Sequence, residues 1–419
     1  MIKYKLNIML LLLIGATACS EHSRVNTLTP LSETSTSNQY ILLSEDSIIE
    51  LVSVNLSHCP VINIPNKDKE ACLDTIFASY SFVPLETTER STIGRIEKII
   101  VCQDCFCILD RDNSNVFLFE LNGKFRCRLG AKGHGAGEHL DAWNVAYDEK
   151  NRELVLLDLS GRKLMYYNLF GELLRVAPMY YLYTCLEYQN ENMILGTFKA
   201  YNRSSDILDL YQLVVADRNQ KPISLSFKTS ETIRQTFSHS PRLKKCGEEV
   251  IFDDLLSDTL WRISSGSKTP LAIFNFKSGS HFSSKDKRRM TDRLYSDKSD
   301  QVGCVINWNA TPQYISLLVS TQSTGKRVFN VLYSRKTGKY KLFGKNTKPT
   351  RLGDFFAYSS FDGVYDPHTF IRIVEPTDIL ENCHRPHLQE IMSTVEKKMT
   401  NSLSVDDNPI LMIEHLIDF

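Results

Sequence analysis

The chain has no surplus of charge of either sign: its 419 residues carry 49 Lys and Arg against 49 Asp and Glu. Without a basic excess to neutralise a phosphate backbone, nucleic acid is not an expected partner. Long apolar runs are missing too. The run from Leu6 to Ile14 is too short to cross a hydrocarbon core of about 30 Å as a stable helix. Tryptophan is scarce, at 3 residues, and neither GxxxxGK[ST] nor GxGxxG occurs, which removes the local signatures of phosphate and dinucleotide loops. No Ser-His-Asp or Cys-His arrangement is recognisable by motif, although a triad scattered in space leaves no trace in a sequence. What is present is ordinary globular composition, 42% hydrophobic and 23% charged, with 18 Tyr, 21 Phe and β-branched runs recurring after residue 80. That bias favours strands.

The first residues set the compartment. Lys3 and Lys5 precede the apolar run, and Gly15, Ala16, Thr17 and Ala18 lead to Cys19, the plan of a secretory signal peptide. Ala16-Thr17-Ala18-Cys19 resembles the bacterial lipobox, whose cysteine receives a diacylglycerol thioether and becomes the mature N-terminus. Each buried CH₂ contributes about 0.8 kcal/mol, so two or three chains on one cysteine hold durably where one holds only marginally. Residues 1–18 are therefore expected to be a signal peptide and 19–60 a lipidated tether rich in Ser, Thr and Asn. Residues 61–419 are expected to be the folded domain. The membrane, reached through lipidated Cys19, is an expected partner, and the expected location is the cell envelope, at the outer rather than the inner membrane. Two short apolar stretches, Tyr40 to Leu43 and Ile48 to Val54, interrupt the tether and could pack on the domain.

A repeat of about 48 residues dominates the rest. The segment starting at Cys105 and the one starting at Glu153 superimpose without gaps, matching Asp110 to Asp158, Leu121 to Leu169 and Gly123 to Gly171. Each copy reads as an apolar run ending in Asp, a polar loop, a second run, a hairpin turn with Gly, and a third run. With a preceding strand at Ile96 to Cys102 or Trp143 to Tyr147, each makes four antiparallel strands. Weaker copies place turns at Asn219, Gly266 and Gly338, the last delayed by an inserted helical segment at 283–298, and a sixth unit spans Gly363 to Phe419 with a second helical insertion at Pro386 to Thr400. Four-stranded units at this period are propeller blades, because one small sheet cannot bury both faces until neighbours stack on it. The expected fold is all-β: a six-bladed β-propeller of four-stranded antiparallel blades with short helical insertions. The strand Ser79 to Leu85 falls before the first complete unit, so it should pair with Pro409 to Phe419 and close the ring.

The residues Pro84 to Thr88, Ile93-Gly94, Ile108 to Asp110, Asn122-Gly123, the loop Gly133 to Glu138 and the late segment 406–416 together resemble the six-bladed β-propeller lipoproteins of Gram-negative bacteria. The resemblance is dense from about 79 to 178 and sparse until the end. It implies fold and export, and no particular activity.

Chemistry is less legible. The loop Gly130 to Leu140 reads as a crossing between blades, with His134, Glu138 and His139 as candidate ligand contacts. Cys102, Cys105 and Cys107 with Cys127 could suggest zinc, but Gln103-Asp104 reads as a two-residue turn that sets Cys102 opposite Cys105, and an oxidising compartment favours buried thiols or a disulfide. Cys59 and Cys72 could close a second loop. Antiparallel connectivity puts the loops Asp110 to Asn115 and Asp158 to Arg162 on the same rim as the glycine-rich crossing, so Asp110, Arg111, Asp112, His134, Glu138, His139, Asp158 and Arg162 are the candidate ligand-binding residues. Taken singly, Asp110 and Asp158 fit equally a role in ending strands by bonding to their own loops. The expected function is non-catalytic binding or scaffolding of an unknown peptide, glycan or protein, with no catalytic residue, metal or cofactor assigned. The alternative is a hydrolase or lyase on the same fold with a divalent metal such as Ca²⁺ in the central channel, which needs three or four oxygen or nitrogen ligands at about 2.3–2.6 Å. Fold alone does not separate the two.

Overall fold

A computed structural model of the chain describes residues 49–50, 52–53, 59–64, 71–197, 211–228, 242–253, 259–276, 303–322, 326–344 and 349–419. Cys19, the expected signal peptide and the expected insertion at 283–298 lie outside the described residues. The first complete repeat forms Ile96–Val101, Cys105–Asp110, Asn115–Glu120 and Phe125–Arg128, hydrogen-bonded in that order as one antiparallel sheet. The second forms Ala142–Asp148, Glu153–Asp158, Lys163–Tyr167 and Leu173–Pro178 in the same order. Four more sheets follow, with inner strands Tyr183–Gln189, Arg242–Cys246, Gly303–Ala310 and Gly363–Asp366, and together the six make a six-bladed β-propeller.

The middle strands explain why the repeat reads as unbroken apolar runs. Every residue of Cys105–Asp110 is buried, as are all but the first of Glu153–Asp158, because both faces of a blade pack against neighbours. The core is accordingly laid out as layers between blades: Leu109 and Leu118 of blade one meet Leu154 and Leu156 of blade two, and Phe106 and Phe117 meet Ile371 and Leu411 of blade six. The hairpin glycines have the expected left-handed backbone, with φ of +88° at Gly123 and +83° at Gly171. In blade three that conformation falls on Gln220, one residue past the expected Asn219.

The ring closes as the repeat phase requires. Ile410–Leu416 is the third strand of blade six and Phe77–Pro84 its outer strand, in register Ile410 to Pro84, Met412 to Phe82 and Glu414 to Tyr80. Asn408 locks the seam. Its side chain accepts from the Ile93 N–H at 2.8 Å and donates to the carbonyls of Glu86 and Ser91 at 2.9 and 2.7 Å, while its own N–H donates to Thr87 Oγ1 at 2.8 Å. The Glu86 N–H in turn donates to the Gly123 carbonyl at 2.8 Å, and a Cβ on Gly123 would collide with the carbonyl oxygen of Pro84. The Pro-Leu-Glu-Thr-Thr and Asn-Gly motifs are thus two sides of one joint. Between the second and third strands of blade six stand three short helices, Pro376–Cys383, Pro386–Ile391 and Thr394–Ser402, the last opened by a capping box of Ser393 and Glu396. The insertion therefore begins ten residues before the expected Pro386.

Upstream of the seam three short strands form a belt on the outer edges of two blades. Ile49–Glu50 adds in parallel to the outer strand Pro222–Lys228 of blade three, and Val52–Ser53 and Val61–Ile64 add in parallel to the outer strand Ser267–Phe276 of blade four.

Candidate functional site

Six inner strands converge on a central channel holding a cavity of about 770 Å³. Each blade supplies it with a polar side chain: Lys98, Asn144, Glu187, Lys244, Asn307 and Asp362 in ring order. Their charges run cation, neutral, anion, then cation, neutral, anion, so the wall is nearly balanced.

The balance is built from specific bonds. Lys98 Nζ pairs with Glu187 Oε1 at 2.6 Å and donates to the Val145 carbonyl at 2.7 Å, so one blade-one lysine ties blades two and three. Lys244 Nζ donates to the Trp308 carbonyl at 2.6 Å and to Asn307 Oδ1 and Asn309 Oδ1 at 3.1 and 3.3 Å, bridging blades four and five. Asn307 Nδ2 reaches Ser360 Oγ at 3.1 Å. At the far mouth Lys245 pairs with Glu149 at 3.1 Å. Asp362 accepts from the Ile373 N–H at 2.8 Å, and burial raises its carboxyl to about 6. A folded-state value above the unfolded one means that this group favours the fold below about pH 4 and loses that contribution as pH rises through about 6. Asp362→Asn should therefore leave melting unchanged near pH 4 and raise it near pH 7, by at most about 3 kcal/mol before solvent screening in the channel is allowed for. A wild type and variant with the same melting offset at both pH values would show that Asp362 ionises normally.

The eight rim residues expected from sequence are found in the loops assigned to them, with different employments. Asp110 is fully buried and accepts from the Gly94 and Arg95 N–H groups, both at 3.0 Å, and from Asn113 Nδ2 at 2.8 Å. Asp158 does the same one repeat later, accepting from Leu140, Asp141 and Gly161 at 3.0, 3.0 and 2.9 Å. Both carboxylates tie the end of a second strand to the entry of the first strand of the same blade. Glu138 folds back to accept from the Gly135 N–H at 2.7 Å, and a Cβ on Gly133 would strike its carboxylate, which accounts for the glycine at 133. His139 is buried, its Nε2 lies 2.9 Å from the Ser114 carbonyl, and burial lowers its affinity for a proton. Asp112 accepts from Arg95 at 3.0 Å in the open. Arg111 lines the channel, stacked 3.7 Å over the Trp143 ring and 3.8 Å from Asp141. Arg162 and His134 are exposed on the same rim and do not line the cavity. Of the eight, only Arg111 joins the rim to the channel.

The nine cysteines whose side chains are described are free thiols. Cys102 and Cys105 face each other across the Gln103-Asp104 turn, where the Cys102 N–H donates to the Cys105 carbonyl at 2.8 Å, and with Cys107 they pack in the layer between blades one and two. Burial pushes the Cys127 thiol beside them up to about 11, so it stays protonated. Among the described residues no three His, Cys, Asp or Glu side chains come together so as to hold a metal ion.

The channel residues other than Arg111 were not singled out from sequence. A signal existed: Lys98, Asn144 and Lys244 each stand third in the inner strand of their blade, polar intrusions at one repeat position.

No curated protein matches the chain. Among solved structures, a Bacteroides fragilis protein described as exported is 19% identical, with a TM-score of 0.69 over 85% of this chain and 100% of that one. A member of the duf4221 family from Bacteroides vulgatus is 9% identical over 81% of this chain and 97% of that one, at a TM-score of 0.48. The first likeness shows the fold. The family described as Domain of unknown function (DUF4934) matches residues 59–415, from the belt to the closing strand, and the chain belongs to that family.

Proposed function

We propose that the protein is an exported lipoprotein, held to the outer membrane through Cys19, that binds a peptide, glycan or protein partner at the rim and mouth of its central channel without transforming it. The signal peptide and lipobox-like approach to Cys19 support the anchoring, and the likeness to a Bacteroides protein described as exported agrees with it. The observation that carries the binding role is the channel itself. Its volume falls in the range of pockets that enclose a small ligand or the end of a larger one. Its charges are held by ion pairs, as Lys98, Lys245 and Arg111 are, or by neutral neighbours, as Lys244 and Asp362 are, which leaves a fixed polar surface.

Arg111 and Arg162 are the anion-gripping candidates on that rim, since guanidinium offers paired donors in one plane. The Cys19→Ser chain should leave the membrane fraction and, in solution, select ligands from an array of peptides and oligosaccharides. Arg111→Ala with Arg162→Ala should then abolish that capture. Lys124→Ala with Glu172→Ala, at the hairpins of the opposite rim, should leave it intact. Loss of capture in the second pair and not the first would place binding on the other face, and a Cys19→Ser chain still in the membrane would remove the proposed anchor.

A further inference from the structure

The outer edges of the six blades are unequally covered. Read upstream from the seam, the chain supplies the outer strand of blade six, donates from the Ala71 N–H to the Leu342 carbonyl of blade five at 2.7 Å, adds two strands to blade four and adds one to blade three. The next edge in that direction belongs to blade two. Its outer strand Leu173–Pro178 ends its sheet with no further strand among the described residues. The same edge gathers much of the exposed apolar surface: among the described residues, Phe170, Leu173, Leu174, Val176 and Tyr180 are five of the thirteen large hydrophobic side chains that stand exposed, Phe170 at 72% and Leu174 at 48%. Blade one offers no comparable edge, because its outer strand Phe125–Arg128 has four residues, two of them arginines. An uncovered apolar sheet edge is a template for another strand.

We propose that this edge is covered by the chain's own residues Tyr40–Leu43, which lie outside the described residues, added as a fifth strand in the manner of the belt on blades three and four. The sequence Tyr-Ile-Leu-Leu is an apolar island in a polar tether, suited to a half-buried strand. It also lies within reach. The six Cα steps from Leu43 to Ile49 span up to about 20 Å of extended chain, whereas the belt passes from blade three at Glu50 to blade four at Val52 in two steps. The one charge on the receiving strand is already satisfied, since Arg175 holds Glu153 through two bonds of 2.6 and 2.8 Å and stacks 3.7 Å over Tyr166. An apolar strand laid there meets no unpaired charge.

Residue-resolved amide exchange tests this in the mature chain. Leu174 and Val176 should exchange slowly in the wild type and at least tenfold faster in Ile41→Asp with Leu43→Asp, while Ser224 and Leu225, under Ile49–Glu50, are unchanged and report an intact ring. Adding a peptide of residues 37–45 should restore the protection. Equal exchange in wild type and variant overturns the proposal, and so does protection that rises with protein concentration, which would mark a second copy as the occupant.

Discussion

Removing Pro409–Phe419 is expected to abolish cooperative folding of the ring. Ile410–Leu416 is an interior strand, paired with Thr369–Val374 on one side and Phe77–Pro84 on the other, and six of its seven residues are buried. Five of those are large apolar side chains, Ile410, Leu411, Met412, Ile413 and Leu416. At about 1.5–3 kcal/mol each their burial amounts to roughly 10 kcal/mol, which is the size of a domain's whole stability. The deletion also strands Phe77–Pro84 without a partner strand and removes the Ile417 N–H bond to the Ile76 carbonyl and the Asp418 carboxylate that accepts from Tyr314 at 2.8 Å. Circular dichroism melting should show no sharp transition in the truncated chain. A truncated protein that melts like the intact one would mean that the ring is held closed elsewhere.

The second large effect belongs to a buried ion pair in the same blade. Arg372 is fully buried and Glu414 nearly so, with Nε 2.8 Å from Oε2, and the guanidinium also bonds the Ser359 carbonyl and lies 4.5 Å over the Phe361 ring. Burial pushes the Glu414 carboxyl up, and Arg372 is what pulls it back. Arg372→Ala leaves that carboxylate alone in the interior, at a cost of about 3–5 kcal/mol near pH 7. The deficit should shrink as pH falls, because protonating Glu414 removes the uncompensated charge. Replacing both partners, Arg372→Met with Glu414→Leu, should recover most of the loss, since a buried pair gains little over well-packed apolar side chains. Urea midpoints of the three chains decide it. If the double variant is as weak as the single one, the pair acts through packing that methionine and leucine do not reproduce.

These two predictions rest on parts of the chain that were legible to different degrees. Ring closure could be read in advance because the repeat counts strands, and a count that leaves Ser79 to Leu85 over requires a partner for it. The Arg372–Glu414 pair could not. The two residues are 42 positions apart, on strands separated by three helices, and each looks alone like a surface charge. Asp110 and Asp158 show the same limit from the other side. Their repeat position marked them as important, but whether a carboxylate at a strand end faces a ligand or its own loop depends on where the neighbouring N–H groups lie. Here they lie 2.9–3.0 Å from the Asp158 carboxylate and fill it.

The sequence alone determined what short-range sterics govern: the period of the blades, the left-handed glycines at Gly123 and Gly171, the antiparallel order within each unit and the strand left over for the seam. Only the tertiary structure decided which side chains meet in the channel, how Asn408 reaches residues more than 300 positions away, and that Ile49–Glu50, Val52–Ser53 and Val61–Ile64 add to the outer edges of blades three and four. Alternation along one strand fixes two faces but does not say which neighbouring blade each will meet or which strand will line the axis. That is settled only when all six blades are stacked, and Lys98 finds Glu187 two blades on because the ring brings them together.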